Sequence, residues 1–378
     1  MLGRIIKSVI LWRLAILVVA ALATFFLPIQ DCCQEFGSRL SPAYLTGIWS
    51  NFAGKDFLDL ARFGYGLPLK PSTYIYFPAF SGAINLLAKF IPNYLTSGLV
   101  LVHTSLIFAL YFLYQLIKFD FKELIARNTI LLLLLFPTAF FFGAIYTESF
   151  FLLLIVLSFY HVRKERFFLA CLFGLLASAT RFAGIFLWPA LIWEIWQGHA
   201  KRAKKEGIDT ALVWLILPPL GLLTYMKHLY LKTGDVFTFL KITPDYGPNI
   251  VVNKLILLHQ VFFRYGKMLI GSNWANPLYF VVLFELLVGA LFLALTFFAF
   301  KKLRRSYAVY TLLSYLIPTF TGTFASLPRY VLTIFPGFIL MSLWFSRQKP
   351  IIKYLYFAVN IITAIFFIIL FTRGYFVG

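Results

Sequence analysis

The 378-residue chain is 61% hydrophobic and only 13% charged, with a mean hydropathy of +0.86. Apolar runs of about 20 residues recur along it, as bilayer spans require, and the short alternating segments of a β-barrel are missing; a soluble globular fold is excluded. The net charge of +20 would suggest nucleic acid in a soluble domain, but here the basic residues fall in clusters between apolar runs, and a nucleic-acid partner is excluded.

The expected class is an all-α polytopic membrane protein. Arg4/Lys7, Lys118/Lys122/Arg127, Arg163/Lys164/Arg166, Lys201/Arg202/Lys204/Lys205, Lys301/Lys302/Arg304/Arg305 and Arg347/Lys349/Lys353 all fall on one side in a single threading, and the positive-inside rule makes that side cytoplasmic. The spans are then 9–29, 96–117, 128–146, 148–161, 167–180, 182–198, 209–229, 277–299, 306–325, 328–346 and 350–372, about eleven helices with the N-terminus inside. The run from Val9 to Pro28 lacks a small-residue cleavage site and reads as an uncleaved first helix. Residues 74–92 are apolar, but counting them as a span would send every later basic cluster outside. They are laid in the outer interface, within a long first external loop over 30–95 that carries juxtamembrane helices. A second long external loop covers 230–276, and residues 1–378 form one transmembrane domain.

Only 14 residues are acidic, and two of them, Asp56 and Asp59, sit in the first external loop. Ser50 or Asn51 is placed to cap a helix over about 52–63 and Gly64 to end it. Ala53, Phe57, Leu60 and Ala61 would form an apolar strip beside one carrying Phe52, Asp56, Asp59 and Phe63. Both acids read equally as solvated, with Asp59 paired to Lys55 or Arg62. Glu148 and Arg181 fall at outer span junctions, either as interfacial residues or as the lining of a hydrated cavity. Glu285 lies within 277–299, as a buried structural partner or a functional group. The histidines make no paired metal spacing, Cys32, Cys33 and Cys171 form no metal or disulfide framework, and P-loop, G-x-S-x-G and G-x-G-x-x-G motifs are missing. No cofactor is indicated, and a divalent metal requirement stays open.

The run Phe52-Ala53-Gly54-x-x-Phe57-Leu58-x-Leu60-Ala61-x-x-Gly64-Tyr65, followed by Tyr76-Phe77-Pro78, resembles the first luminal loop of the phosphatidylinositol-glycan class V family, the second GPI mannosyltransferase and its bacterial relatives. Further matches follow in order: Phe136-Pro137-Thr138-Ala139-Phe140-Phe141, Tyr146-Thr147-Glu148-Ser149, Ala177-Ser178-Ala179-Thr180-Arg181 and Pro328-Arg329-Tyr330. The resemblance covers nearly the whole chain. It implies a GT-C glycosyltransferase fold in a cell membrane, with the active site on the extracytoplasmic face. The implied reaction transfers mannose, with inversion, from a polyprenyl-phosphate-mannose donor to a lipid, glycan or protein acceptor. Asp56 and Glu148 would serve as carboxylates near the acceptor hydroxyl, Arg181 and Arg329 would hold the donor phosphate, and Asp59, Tyr65, Phe77, Tyr146, Trp274 and Tyr330 would line the substrate groove.

One departure matters most. The family has an Asp in this loop where this chain has Ala53, which can accept neither a proton nor a hydrogen bond. Three explanations stand: a variant disabled by one substitution, a site that uses Asp56 one turn later, or a naturally inactive member. The alternatives to an enzyme are a lipid-linked-saccharide transporter and a non-catalytic polyprenyl-phosphate-binding protein.

Overall fold

The computed structural model describes residues 1–30, 40–66, 71–202, 210–242 and 254–377. Cys32, Cys33, Lys204 and Lys205 lie outside the described residues. Within them the regular structure is helical, with no strand: α1 Leu2–Ala23, α2 Pro42–Gly47, α3 Ala53–Phe63, α4 Pro78–Ala88, α5 Tyr94–Ile117, α6 Glu123–Leu134, α7 Glu148–Arg163, α8 Phe167–Ser178, α9 Leu187–Arg202, α10 Leu217–Thr233, α11 Thr238–Lys241, α12 Leu258–Gly271, α13 Pro277–Lys302, α14 Arg305–Thr319, α15 Leu327–Tyr330, α16 Phe335–Ser346 and α17 Pro350–Thr372.

Among the described residues five helices are long and apolar enough to cross a bilayer: Leu2–Ala23, Tyr94–Ile117, Ala211–Thr233, Pro277–Lys302 and Pro350–Thr372. A sixth arises if Leu327–Thr333 and Phe335–Ser346, bent by 84°, act as one span. The sequence led us to expect about eleven, and the difference has a physical cause. Several expected spans are built from helices of 12 to 16 residues, α6 to α9 among them. At about 1.5 Å per residue even the longer ones fall short of a hydrocarbon core of about 30 Å. Between 128 and 146 the helix stops at Leu134, just before Pro137, and the chain goes on as a 3-10 turn over Ala139–Gly143. Helix α4 has 11 residues, too few to cross, which agrees with keeping 74–92 out of the list of spans.

The chain divides into two compact units, one of residues 1–73, 79–156 and 341–377, the other mainly of 157–340 with 74–78. In the first unit α1 packs with α5 and α17, and the pieces of the first loop pack on them. Ser81 donates from Oγ to the Phe57 carbonyl at 3.0 Å, Asn85 donates from Nδ2 to the Ala61 carbonyl at 2.7 Å, and Phe80 meets Phe57 edge-on, so α4 is fastened along α3.

In the second unit α8 and α10 cross closely at Gly221. A Cβ there would stand 2.2 Å from both the Leu175 carbonyl oxygen and Ser178 Oγ. Gly221→Ala must push the two helices apart, and overpacking of this kind costs about 1–3 kcal/mol. The expected result is a lowered melting midpoint of the purified protein; an unchanged midpoint would mean that the crossing is looser than described.

Glu194 on α9 is buried and serves as a knot in the same unit. It accepts from Arg304 Nη2 at 2.5 Å and Ser306 Oγ at 2.6 Å, with Arg163 Nε at 3.7 Å. The end of α7, the middle of α9 and the start of α14 are thereby tied together, and charges placed in one basic reading of topology turn out to hold a carboxylate. Removing one partner of a buried pair strands the other charge. Because Arg304 keeps partial exposure, Glu194→Ala is expected to cost about 3 kcal/mol, the low end for breaking a buried pair. Glu194→Gln, which still accepts from Ser306, should cost less in the same melting experiment.

Candidate functional site

In the first unit the loop singled out in sequence is held by backbone contacts to the segment that leads into Glu148. Ile145 donates its N–H to the Trp49 carbonyl at 2.8 Å, and the Tyr146 hydroxyl donates to the Asn51 carbonyl at 3.0 Å. Gly54 lets this happen: a Cβ on it would stand 3.3 Å from the Ile145 carbonyl oxygen. Glu148 is 1% exposed and is the first residue of α7, where unpaired N–H groups and the helix dipole favour a carboxylate.

Helix α3 starts at Ala53, and its N-cap is Phe52, with neither Ser50 nor Asn51 in that role. Ser50 turns back to the Gly47 carbonyl at 2.7 Å, and Asn51 donates from Nδ2 to the Phe371 carbonyl at 3.0 Å. Phe52 itself has φ 56° and ψ −125°, a backbone state that costs a non-glycine residue about 1–3 kcal/mol and persists only when its surroundings enforce it. The enforcement is aromatic as well as polar, since the Phe52 ring lies 5.9 Å from Phe371 and 5.7 Å from Phe376. Past α17, the fully buried Arg373 donates to the Leu27 carbonyl at 2.8 Å and the Tyr44 hydroxyl at 2.6 Å, tying the end of α17 to the segment after α1 and to α2.

The buried strip of α3 is Gly54, Phe57, Leu60 and Ala61. This corrects the sequence expectation by one position: Ala53 leaves the apolar strip and is half-buried, as are Asp56 and Asp59. Ala53 and Asp56 are one turn apart on the partly open face. Gly64 ends the helix as expected, with φ 70° and its N–H on the Leu60 carbonyl, and Tyr65 follows half-buried. Asp59 points elsewhere, lining with Leu58, Arg62, Asn93 and Tyr94 a concavity of about 440 Å³.

In the second unit Arg181 and Arg329 each contact the ring of Tyr330. Arg181, between α8 and the 3-10 turn Phe182–Phe186, places its Cζ 4.7 Å from the centroid of the Tyr330 ring. Arg329 places its own 5.1 Å from the same ring and donates to the Tyr330 hydroxyl over a long 3.4 Å. Sequence separation of almost 150 residues is closed by one phenol.

Glu285 is a buried structural partner. Its Oε2 accepts from the Tyr265 hydroxyl at 2.7 Å and its Oε1 from the Ser326 N–H at 3.3 Å, while the Tyr265 oxygen accepts from the Phe324 N–H at 3.0 Å. Ser326 has φ 63°, so the carboxylate holds the bend that leads into α15, where Arg329 lies.

Two expected groove residues are placed differently. Phe77 is 4% exposed, packed against Tyr225 at 4.6 Å and Phe239 at 5.4 Å, while the Tyr225 hydroxyl spans the Tyr74 and Tyr76 carbonyls; its contacts are those of a core ring. Trp274 is 74% exposed on the connection between α12 and α13, and it forms no wall. Sequence reasoning missed Arg13, Trp49 and Arg373, and gave Asn51 a capping role in place of its bond to the Phe371 carbonyl. Arg13 and Arg373 carried a signal, because arginine inside or at the end of an apolar run is expensive and calls for a partner. Among the described residues no group of three or more His, Cys, Asp or Glu side chains could hold a metal ion.

No family model matches the chain, and no curated protein does. Among solved structures it is similar to an Archaeoglobus fulgidus oligosaccharyltransferase tethered with an acceptor peptide containing the NVT sequon via a disulfide bond, at a TM-score of 0.40 and 13% identity. The likeness covers 96% of this chain and 55% of that one, so the chain spans about half the length of the structure it matches.

Proposed function

We propose that the protein is a multi-pass membrane glycosyltransferase of the GT-C type, a hexosyltransferase that moves mannose from a polyprenyl-phosphate-mannose donor to an acceptor on the extracytoplasmic face of a cell membrane. The observation that carries this reading is the strained Phe52–Ala53 corner, locked by Asn51, Tyr146 and Gly54 to the segment that ends in buried Glu148. Backbone strain held by this many contacts is a mark of functional sites, and the loop concerned is the one whose motif resembles the mannosyltransferases.

In the reaction an acceptor oxygen bonds to the anomeric carbon while the bond from that carbon to the donor phosphate oxygen breaks, giving inversion. A carboxylate takes the acceptor proton, and cations hold the departing phosphate. Asp56 and Glu148 are the carboxylates assigned to the first task. Arg181 and Arg329 are assigned to the second, since guanidinium matches phosphate oxygens in pairs. Asp59 and Tyr65 stay as groove residues on the first unit and Tyr330 on the second, while Tyr146, buried with its hydroxyl on the Asn51 carbonyl, supports the loop. Ala53 at the family's acid position makes this chain a weakened member.

A transporter would carry ionisable residues through its helices for a moving substrate. Glu285, the acid best placed for that, is committed to Tyr265 and Ser326, which favours the enzyme. Incubating the purified protein with radiolabelled polyprenyl-phosphate mannose and extracted membrane lipids tests the choice. Slow label transfer or donor hydrolysis is expected. Saturable donor binding with neither, also after Ala53→Asp, would reduce the protein to a binding scaffold.

A further inference from the structure

Arg13 lies in the middle of the 22-residue helix α1, about 16 Å from either end at the usual helical rise. A guanidinium at that depth is expensive and is kept only with partners. Arg13 has one: its Cζ stands 4.1 Å above the ring of Trp49, which is itself fully buried. The stack covers one face of the guanidinium and leaves its edge. Nη1 is buried with no hydrogen-bond partner, the Trp49 Nε1 is likewise buried and unpartnered, and no acidic side chain pairs with Arg13 among the described residues.

The surroundings are shaped for this edge. Gly143 faces it so closely that a Cβ there would stand 2.7 Å from Arg13 Nη1, so a side chain at 143 would require the guanidinium edge to shift. Gly143 belongs to the 3-10 turn Ala139–Gly143, where α6 has already stopped. Non-helical backbone at membrane depth is tolerated where it is buried in protein or lines a polar cavity, and such breaks recur at mid-membrane binding sites. On α5, His103 lies in the field of the Arg13 charge; its Nδ1 meets the Leu99 carbonyl at 2.6 Å, which can only accept, so the ring donates there and its buried Nε2 is the unpartnered atom.

From these groups we infer a binding site within the first unit for the phosphate head of a membrane amphiphile, with Arg13 and Trp49 as donors and His103 beside them. A guanidinium edge is the side-chain group best matched to phosphate oxygens. The Trp12 ring lies beside Gly143, an aromatic neighbour that suits an alkyl chain and disfavours a free hydrated ion. The site uses neither Arg181 nor Arg329 and does not rest on the proposed sugar transfer.

The test uses full-length protein carrying Arg181→Gln and Arg329→Gln, so that phosphate binding in the second unit is removed. Titration with dodecyl phosphate, followed by melting midpoint and calorimetry, is expected to saturate in that background. Adding Arg13→Met should weaken binding at least about tenfold, and Trp49→Phe, which keeps a ring under the guanidinium but removes the N–H, several-fold. Gly143→Ala should weaken it likewise and serves if Arg13→Met does not fold. Equal binding with and without Arg13→Met and Trp49→Phe would overturn the site. Loss of all binding in the Arg181→Gln, Arg329→Gln background would also overturn it while leaving the sugar-transfer reading intact. Inorganic phosphate is the second arm, expected not to saturate; Arg13-dependent saturation by it would overturn the amphiphile in favour of a free ion.

Discussion

Ala53→Asp is expected to raise mannosyl transfer by about two to four orders of magnitude, the range that a positioned general base contributes. The geometry makes the change local. Ala53 is the first residue of α3, so its Cβ direction is set by a helix already formed, and it is half-buried on the face that also carries Asp56. A carboxylate in a first helical turn gains from the helix dipole. The strain at Phe52 is held by Phe371, Phe376 and Asn51, none of which the substitution touches. The competing explanation gives the opposite pattern: if Asp56 already carries the proton transfer, Ala53→Asp changes kcat little, and Asp56→Asn in the present chain lowers it by about a hundredfold or more. Initial rates of labelled transfer from polyprenyl-phosphate mannose, measured on both variants, separate the two. Neither change altering the rate would remove this face of α3 from the chemistry.

The helical membrane class was legible because composition and charge clustering are long-range averages that local detail cannot erase. The ends of elements were less so. Asn51 has the residue type of an N-cap, but its side chain is taken by the Phe371 carbonyl, a partner 320 residues away, and no local pattern announces that. Helix length failed for a different, local reason: residues 128–146 are mostly apolar, yet Pro137 and the 3-10 turn after it divide them. Of the site residues, Arg181 stood out as an arginine at an apolar junction and Arg329 only through the resemblance, and both lie against the Tyr330 ring. Phe77 and Trp274 were chosen as aromatics of an outer loop, a property shared by core rings and membrane anchors, so composition could not tell which they are. Glu285 was visible as a costly acid, but its role required knowing that Ser326 adopts a left-handed turn beside it.

That role leads to the second large effect. Arg329→Gln and Arg181→Gln are each expected to lower kcat by about 10²–10³, the cost of removing one donor from a developing oxyanion, while leaving the melting midpoint nearly unchanged because both side chains are partly exposed. Tyr265→Phe should behave differently. It strips Glu285 Oε2 of its donor and the Phe324 N–H of its acceptor, and each buried group left unpaired costs about 1–3 kcal/mol. The midpoint therefore falls, and the bend at Ser326 loosens. If that bend acts by presenting Arg329, Tyr265→Phe raises the donor KM and lowers kcat modestly, and combined with Arg329→Gln it has little further effect on transfer, because the group it positions is gone. A full additional loss in the double variant, with the KM unmoved in Tyr265→Phe alone, would separate the Glu285 network from the phosphate contact and leave it a role in folding only.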